Sequence, residues 1–564
     1  MRTLLIGLCC LPLFAIAQAG RSEPTDSVRL LQLLHDYGHF DPYDSTDTWR
    51  SGSADTHGRQ TDTLRSYRQR LEALGELSGQ QAIDRELLAF VLDDDLYHLR
   101  FGSYRLPLNA EGGFLAGIVY RLGNRRVDSD EELGDYLSEL HALPDYLAAQ
   151  RGYLEAGLTA RRTHPRLVVD RVGELIARTL AVDPRESLYL RPVARHPEWR
   201  DTVLATVSER VYPAYRAFGR FLAEDYAPQL PADSIGIGSI EGGRDHYRHL
   251  LRYFTTDDVS PEEVYATGQR EVTRIRADME AVIEEVGFTG TFAEFLEFLR
   301  TDPQFYASTP AALLERAAWI TKRMEARLPE YFDRLPRMPL TVAPVPAALA
   351  PNYTGGRYSP GSYRDRRAGA FWVNTYDLPS RPLYTLPALA LHEGVPGHHT
   401  QMMLSAELEG LSDFRRDLYL SAFGEGWALY CEYLGREAGI YETPYEEFGR
   451  LTYEMWRACR LVVDPGMHYF GWTRDEAVDF MTRNTALSLR EVNSEIDRYI
   501  GWPGQAVSYK WGELKIRELR KLAEAELGDE FDLATFHSLV LANGAVTMQL
   551  LEQIVTDYIT EQRK

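Results

Sequence analysis

The residues best suited to chemistry lie in one short run, His392-Glu393-Gly394-Val395-Pro396-Gly397-His398-His399. A catalytic zinc takes three protein ligands, commonly imidazoles and a carboxylate, and keeps a fourth position for water. It also needs a base that reaches the water without ligating the metal. The common helical arrangement is His-Glu-x-x-His, where a spacing of four puts both imidazoles on one face. In this chain the fourth position is Pro396, and the next histidine is His398. In a straight helix His398 would stand about 240° around from His392, and His399 would share its face about 10.5 Å along the axis. Neither arrangement serves one ion directly. Pro396 cannot donate to the carbonyl of His392 and crowds it, while Gly394 and Gly397 admit unusual backbone angles. The helix is therefore expected to widen or break, so that His398 takes the place of the second histidine. His399 is the alternative.

A third ligand is expected from a following helix. The candidate is Glu425 in Gly424-Glu425-Gly426-Trp427-Ala428-Leu429-Tyr430-Cys431-Glu432. Its two flanking glycines would let this backbone approach the metal-bearing helix closely. Glu432, on the same face, suits the role of acceptor for a ligand imidazole. A His-Glu pair alone means little, and a lone Glu on a helix is usually solvated. But three of the chain's 14 histidines fall in this run beside Glu, Pro and two Gly, which favours a metal. The ligand types suit Zn²⁺, and manganese or cobalt could occupy the same set.

The elements that must position these groups are mostly helical. Leu64, Tyr67, Leu71, Leu74 and Leu77 form an amphipathic stripe beginning near Thr61,. Similar stripes run through 87–99, 131–153, 165–180 and 201–226. Residues 228–243 are rich in Gly and Pro and break the pattern,. Ser260-Pro261-Glu262-Glu263 then reads as a helix start, with the helix running to Val286,. Two strands are expected, over 340–345 and 370–375, the second either offering an edge to an extended peptide or lying in the core as a plain strand,. Residues 353–358, including Tyr358, are expected as a loop, either an ordinary surface loop or one that closes over the substrate site. Helices resume from about Leu386. The class is mainly α with a small sheet near the metal helix.

Residues 1–19 read as an export signal: Arg2, an apolar run over 4–15, and the small-x-small pattern Ala17-Gln18-Ala19,. Periplasmic or secreted location follows. A lipid anchor on Cys9 or Cys10 fits less well, because Leu8 is bulky where such signals prefer a small residue. Residues 20–60 are a polar leader, 61–245 a helical N-terminal region and 246–564 the region carrying the metal segment, in one continuous fold with 61–245. No later stretch is apolar enough for a membrane helix. The formal net charge of −21 opposes binding to nucleic acid or an anionic membrane, and does not oppose a peptide,. Cys431 and Cys459 are expected as buried free thiols,. The chain carries no signature of an oligomeric state.

The pattern HExxPGH followed by an EGWA-containing helix resembles a widespread bacterial family long labelled a domain of unknown function. That family is regarded as related to gluzincin-type zinc peptidases and, more distantly, to the helical carboxypeptidase-Taq and thimet-oligopeptidase families. Other stretches that carry the resemblance are Tyr253–Asp258, Leu461–His468, Arg498–Ala506 and Ser508-Tyr509-Lys510, so it spans most of the chain. The resemblance implies a helical fold around a deep substrate channel, Zn²⁺ on its wall, a peptide substrate, and His398 rather than His399 as ligand.

The expected reaction is hydrolysis of a peptide bond, acting as a carboxypeptidase, dipeptidase or oligopeptidase. His392, His398 and Glu425 hold Zn²⁺, and Glu393 is the general base. A donor to the developing oxyanion is also needed. Tyr509 and His468 are the first candidates, His537 the next. Arg498 and Lys510 are candidates for a substrate's terminal carboxylate, against the plain alternative of surface ion pairs. Two other classes fit the same residues: a metal-dependent hydrolase of a non-peptide amide or ester, and a peptide-binding protein on a peptidase scaffold.

Overall fold

Apolar stripes at helical spacing become helices wherever caps allow them. In the computed structural model, helices Gln80–Phe101, Asp130–Thr159 and Arg166–Ala181 cover three of the expected stretches. Residues 25–564 are described, apart from 44–46, 111–112, 124, 232–233, 348 and 351–352. The export signal and both N-terminal cysteines therefore lie outside the described residues. Helix Pro261–Glu285 starts at Ser260 as expected. The Ser260 hydroxyl accepts the Glu263 N–H and the Glu263 carboxylate accepts the Ser260 N–H, satisfying two otherwise orphan donors,. Helices account for 71% of the structure, with one three-stranded sheet, so the class is mainly α.

The start of the chain departs from expectation. The stretch expected as a polar leader contains helix Asp26–Gly38, and helix Ala54–Glu72 begins before Thr61. Leu30, Leu33 and Leu34 pack with Leu64, Leu71, Leu88 and Leu92. Their narrow stripe is hidden among charged neighbours and becomes visible only with its partner helices.

The sheet order is β1-β3-β2, with β1 over Leu340–Pro344, β2 over Gly356–Ser359 and β3 over Gly369–Val373. β3 pairs parallel with β1 and antiparallel with β2, so it is central and has no free edge. The free edge nearest the metal segment belongs instead to β2, which occupies the expected loop.

One apolar core holds residues from both halves of the chain, with Tyr136, Leu140 and Tyr212 beside Met455, Ile496 and Tyr499. A second core wraps the metal segment, with Ala390, Leu391, Trp427 and Leu434 fully buried. Cys431 and Cys459 are free and buried, as expected. Among the described residues no helix is long and apolar enough to cross a membrane.

Candidate metal centre

Helix Leu386–Glu393 does not widen at the glycines; it stops. The Val395–Pro396 peptide is cis. Gly397 N–H then donates to Leu391 O at 3.0 Å, and a new helix, His398–Ala406, begins. A Cβ at Gly397 would stand 2.0 Å from the His392 carbonyl oxygen, so only glycine permits this turn,. Trp427 Nε1–H donates to Pro396 O at 2.9 Å and ties the turn to helix Ser421–Glu437. Trp427 is fully buried.

This turn returns the second imidazole to the first. His392 Nε2 lies 3.5 Å and His398 Nε2 3.4 Å from the same oxygen, Glu425 Oε2. The three ligand atoms lie within 4.8 Å of one another. Two ligands on a tetrahedral zinc with bonds of about 2.0–2.1 Å stand about 3.3–3.4 Å apart. The donor set and its spacing thus fit a shared cation. The two imidazole rings are perpendicular, 4.9 Å between centroids. A second trio, Asp94, His98 and His249, also converges, but there His249 Nε2 is 2.7 Å from Asp94 Oδ1. That is a direct hydrogen bond with no room for an ion between the two.

Two of the three candidate ligands are held from behind. His392 Nδ1–H donates to Glu432 Oε1 at 2.8 Å, as expected for Glu432, leaving Nε2 facing the site,. Arg457 lies 3.8 Å from that carboxylate. Tyr419 OH donates to Glu425 Oε1 at 3.1 Å, leaving Oε2 for the shared position. Burial disfavours charge on His392, but the carboxylates of Glu425 and Glu432 outweigh it and push its pKa up to about 9. Burial also opposes charge on Glu425, yet the two imidazoles hold it well below the usual carboxylate range.

The glycines around Glu425 act differently from expectation. A Cβ at Gly424 would meet the Tyr419 ring at 2.8 Å, and one at Gly426 would meet Gly512 backbone at 2.5 Å. They admit a tyrosine ring and helix Ser508–Leu527, not the metal helix. The Gly426–Gly512 crossing brings Tyr509, one turn before Gly512, toward Glu425. Burial raises the Tyr509 pKa and the Glu425 charge raises it further, while arginines nearby lower it. Arg460 stacks 4.3 Å from its ring centroid.

Glu393 turns to the sheet. Its Oε2 accepts the backbone N–H of Tyr358 in β2 at 2.7 Å. The Tyr358 side chain, expected at the substrate, is buried and donates its hydroxyl to His399 Nδ1 at 3.0 Å. His399 Nε2–H donates to Met338 O at 3.0 Å. Both nitrogens of His399 are therefore occupied away from the metal position.

Four other candidates are not brought to the centre as free groups. His468 accepts Ile237 N–H on Nδ1 and donates from Nε2 to Tyr499 O, so it joins three backbone segments. Lys510 is fully buried, 2.7 Å from Glu454, 2.8 Å from Glu513 and 3.2 Å from Glu271. Its surroundings already hold three carboxylates, so it is a core ion pair and not a surface clamp. Arg498 donates to Gln505 Oε1 and Glu495 Oε2. It remains close enough to influence Tyr509. His537 is likewise occupied, by Tyr430 OH and Tyr331 O.

Trp427, Tyr419 and the β2 edge are absent from the sequence reading. Trp427 and Tyr419 carried one available signal, their closeness to Glu425 in the chain. Two cavities open at the ends of β2. Gly355 lines one of about 280 Å³. Pro360 and Gly361 line one of about 490 Å³.

No curated protein matches the chain. Solved structures that share its fold include those of two bacterial proteins. One, of a protein described as a candidate lipoprotein from Colwellia psychrerythraea, has a TM-score of 0.84 at 26% identity, covering 95% of this chain and 97% of that one. The other, described as a candidate lipoprotein of unknown function from Shewanella oneidensis, has a TM-score of 0.75 at 18% identity, covering 94% and 97%. The pattern of one family, described as bacterial protein of unknown function (DUF885), matches residues 35–555, and the chain belongs to that family.

Proposed function

We propose that the protein is a zinc-dependent peptidase acting on small peptides. The observation that carries this reading is the convergence of His392 Nε2, His398 Nε2 and Glu425 Oε2, at separations suited to one tetrahedral ion, beside Glu393. Those three residues would hold Zn²⁺, which when bound polarises a carbonyl and acidifies water. Glu393 takes a proton from the attacking water and delivers it to the leaving amine. Tyr509, kept protonated by burial and by Glu425, donates to the developing oxyanion,. The outer edge of β2, apart from the Tyr358 N–H held by Glu393, meets the extended backbone of the peptide,. Arg498, near Tyr509, would reach the substrate's polar end by exchanging its contacts with Gln505 and Glu495.

The test combines metal analysis with a panel of peptides, small amides and esters. Zinc-dependent cleavage of peptides, lost in Glu393→Gln, supports the reading. Turnover confined to non-peptide amides or esters would assign a different hydrolase, and zinc binding without any turnover would assign a binding protein.

Residues 1–19 read as a signal, and both structural relatives are described as candidate lipoproteins. We infer a periplasmic or secreted protein, which fractionation of expressing cells would test.

A further inference from the structure

The larger of the two cavities flanking β2 has an apolar lining that the reaction itself does not need. Met402, Met403, Leu420, Phe423, Leu541 and Ala545 form its walls, and its volume is about 490 Å³. Met403, Leu420, Phe423 and Leu541 are almost completely buried. Ser405 and Asp417 also line it, and two of its polar side chains are already engaged. Gln401 Nε2–H donates to Phe423 O, and Arg416 donates to the carbonyls of Ala406 and Leu408. What the cavity offers a visitor is therefore mainly apolar surface, part of it from flexible methionines that adapt to different shapes.

The cavity adjoins the metal centre through residues that touch both. Tyr419 lines it and also donates to Glu425 Oε1. Gly424, the residue before Glu425, lines it as well, and a side chain there would displace the Tyr419 ring. Gln401 lies one turn beyond His398 in the same helix. Pro360 and Gly361 carry the wall to the end of β2, whose Tyr358 N–H meets Glu393. An extended peptide advances about 3.3 Å per residue and points alternate side chains to opposite faces. A peptide laid on the β2 edge, with its reacting carbonyl near Glu393, thus has a neighbouring side chain within reach of this cavity.

We propose that this cavity is a specificity pocket for one large apolar side chain, such as Phe, Leu or Met, of the residue flanking the scissile bond. The proposal rests on the peptidase reading and deepens it by naming the substrate class. Pockets of this kind discriminate by apolar area removed from water.

The test is digestion of a mixed peptide library by the zinc-loaded full chain, read by mass spectrometry, then kinetics on matched peptides. The expected result is a large apolar residue at one fixed side of the cut, favoured over Ala by about tenfold or more in kcat/KM. Ala545→Phe and, independently, Ser405→Phe place a ring in the cavity. Either variant that retains zinc should reduce that ratio to about threefold or less, that is, by roughly 0.7 kcal/mol or more per threefold step. Cleavage with no apolar preference at any position would overturn the pocket assignment alone. So would an unchanged preference in both filled variants. Absence of all peptide cleavage would overturn the peptidase reading itself, so the two failures are distinguishable.

Discussion

Tyr358 N–H donates to Glu393 Oε2 at 2.7 Å, which couples a sheet edge to the carboxylate beside the first metal-ligand candidate. The two touch because β2 lies against the helix that ends at Glu393. A peptide pairing with β2 would arrive at the residue proposed to activate water. The contact also holds one carboxylate oxygen of Glu393, Oε2, at the sheet.

The two adjacent histidines should separate cleanly. His398→Ala removes a nitrogen that lies 3.4 Å from Glu425 Oε2 and should abolish stoichiometric zinc binding. His399→Ala leaves Tyr358 OH and Met338 O without their partner and should cost about 1–3 kcal/mol of stability while zinc is retained,. Metal analysis and thermal melting of both variants check this. Zinc loss in His399→Ala with retention in His398→Ala would reverse the assignment.

Glu432→Gln should weaken zinc binding by about 10–100-fold without eliminating it, since Glu432 orients His392 and does not reach the ion,. Competition against a chelator of known affinity measures the change. Unaltered affinity would mean that the His392–Glu432 contact is only a packing contact.

Tyr509→Phe should keep zinc and lower kcat by about 10²–10³-fold, with a smaller effect on KM. Steady-state kinetics on a cleaved peptide decide it. A loss confined to KM would place Tyr509 in ground-state binding instead.

Lys510→Met should destabilise the fold by on the order of 3 kcal/mol, because Glu454, Glu513 and Glu271 lose their shared buried cation,. Denaturant unfolding checks this. A stable variant with impaired recognition of peptide carboxylates would return Lys510 to the substrate.

Much of the centre was legible in the chain because its chemistry is compressed. His392, Glu393 and His398 sit within one run, and Pro396 with two glycines announces an irregular backbone. Glu425 and Glu432 share one helix face, so their joint approach to His392 could be anticipated. The form of the irregularity could not. Whether Pro396-Gly397 widens or breaks a helix depends on Trp427, which captures the Pro396 carbonyl from another element. His468 and Lys510 were misleading for a related reason. Their partners, Ile237, Tyr499, Glu271 and Glu454, are remote in sequence, and a buried polar residue shows its satisfaction only in three dimensions,. β2 is four residues long, too short for its alternation to stand out from a Gly- and Tyr-rich loop.

The central claim is tested most directly by zinc content and peptide turnover measured on the same preparations of wild type and Glu393→Gln. The account predicts one zinc per chain in both. Wild-type cleavage should stop on chelation and return with zinc, and the variant should lose about 10²–10⁴-fold in kcat. Cleavage that survives complete metal removal, or a Glu393→Gln variant with near-normal turnover, would contradict it.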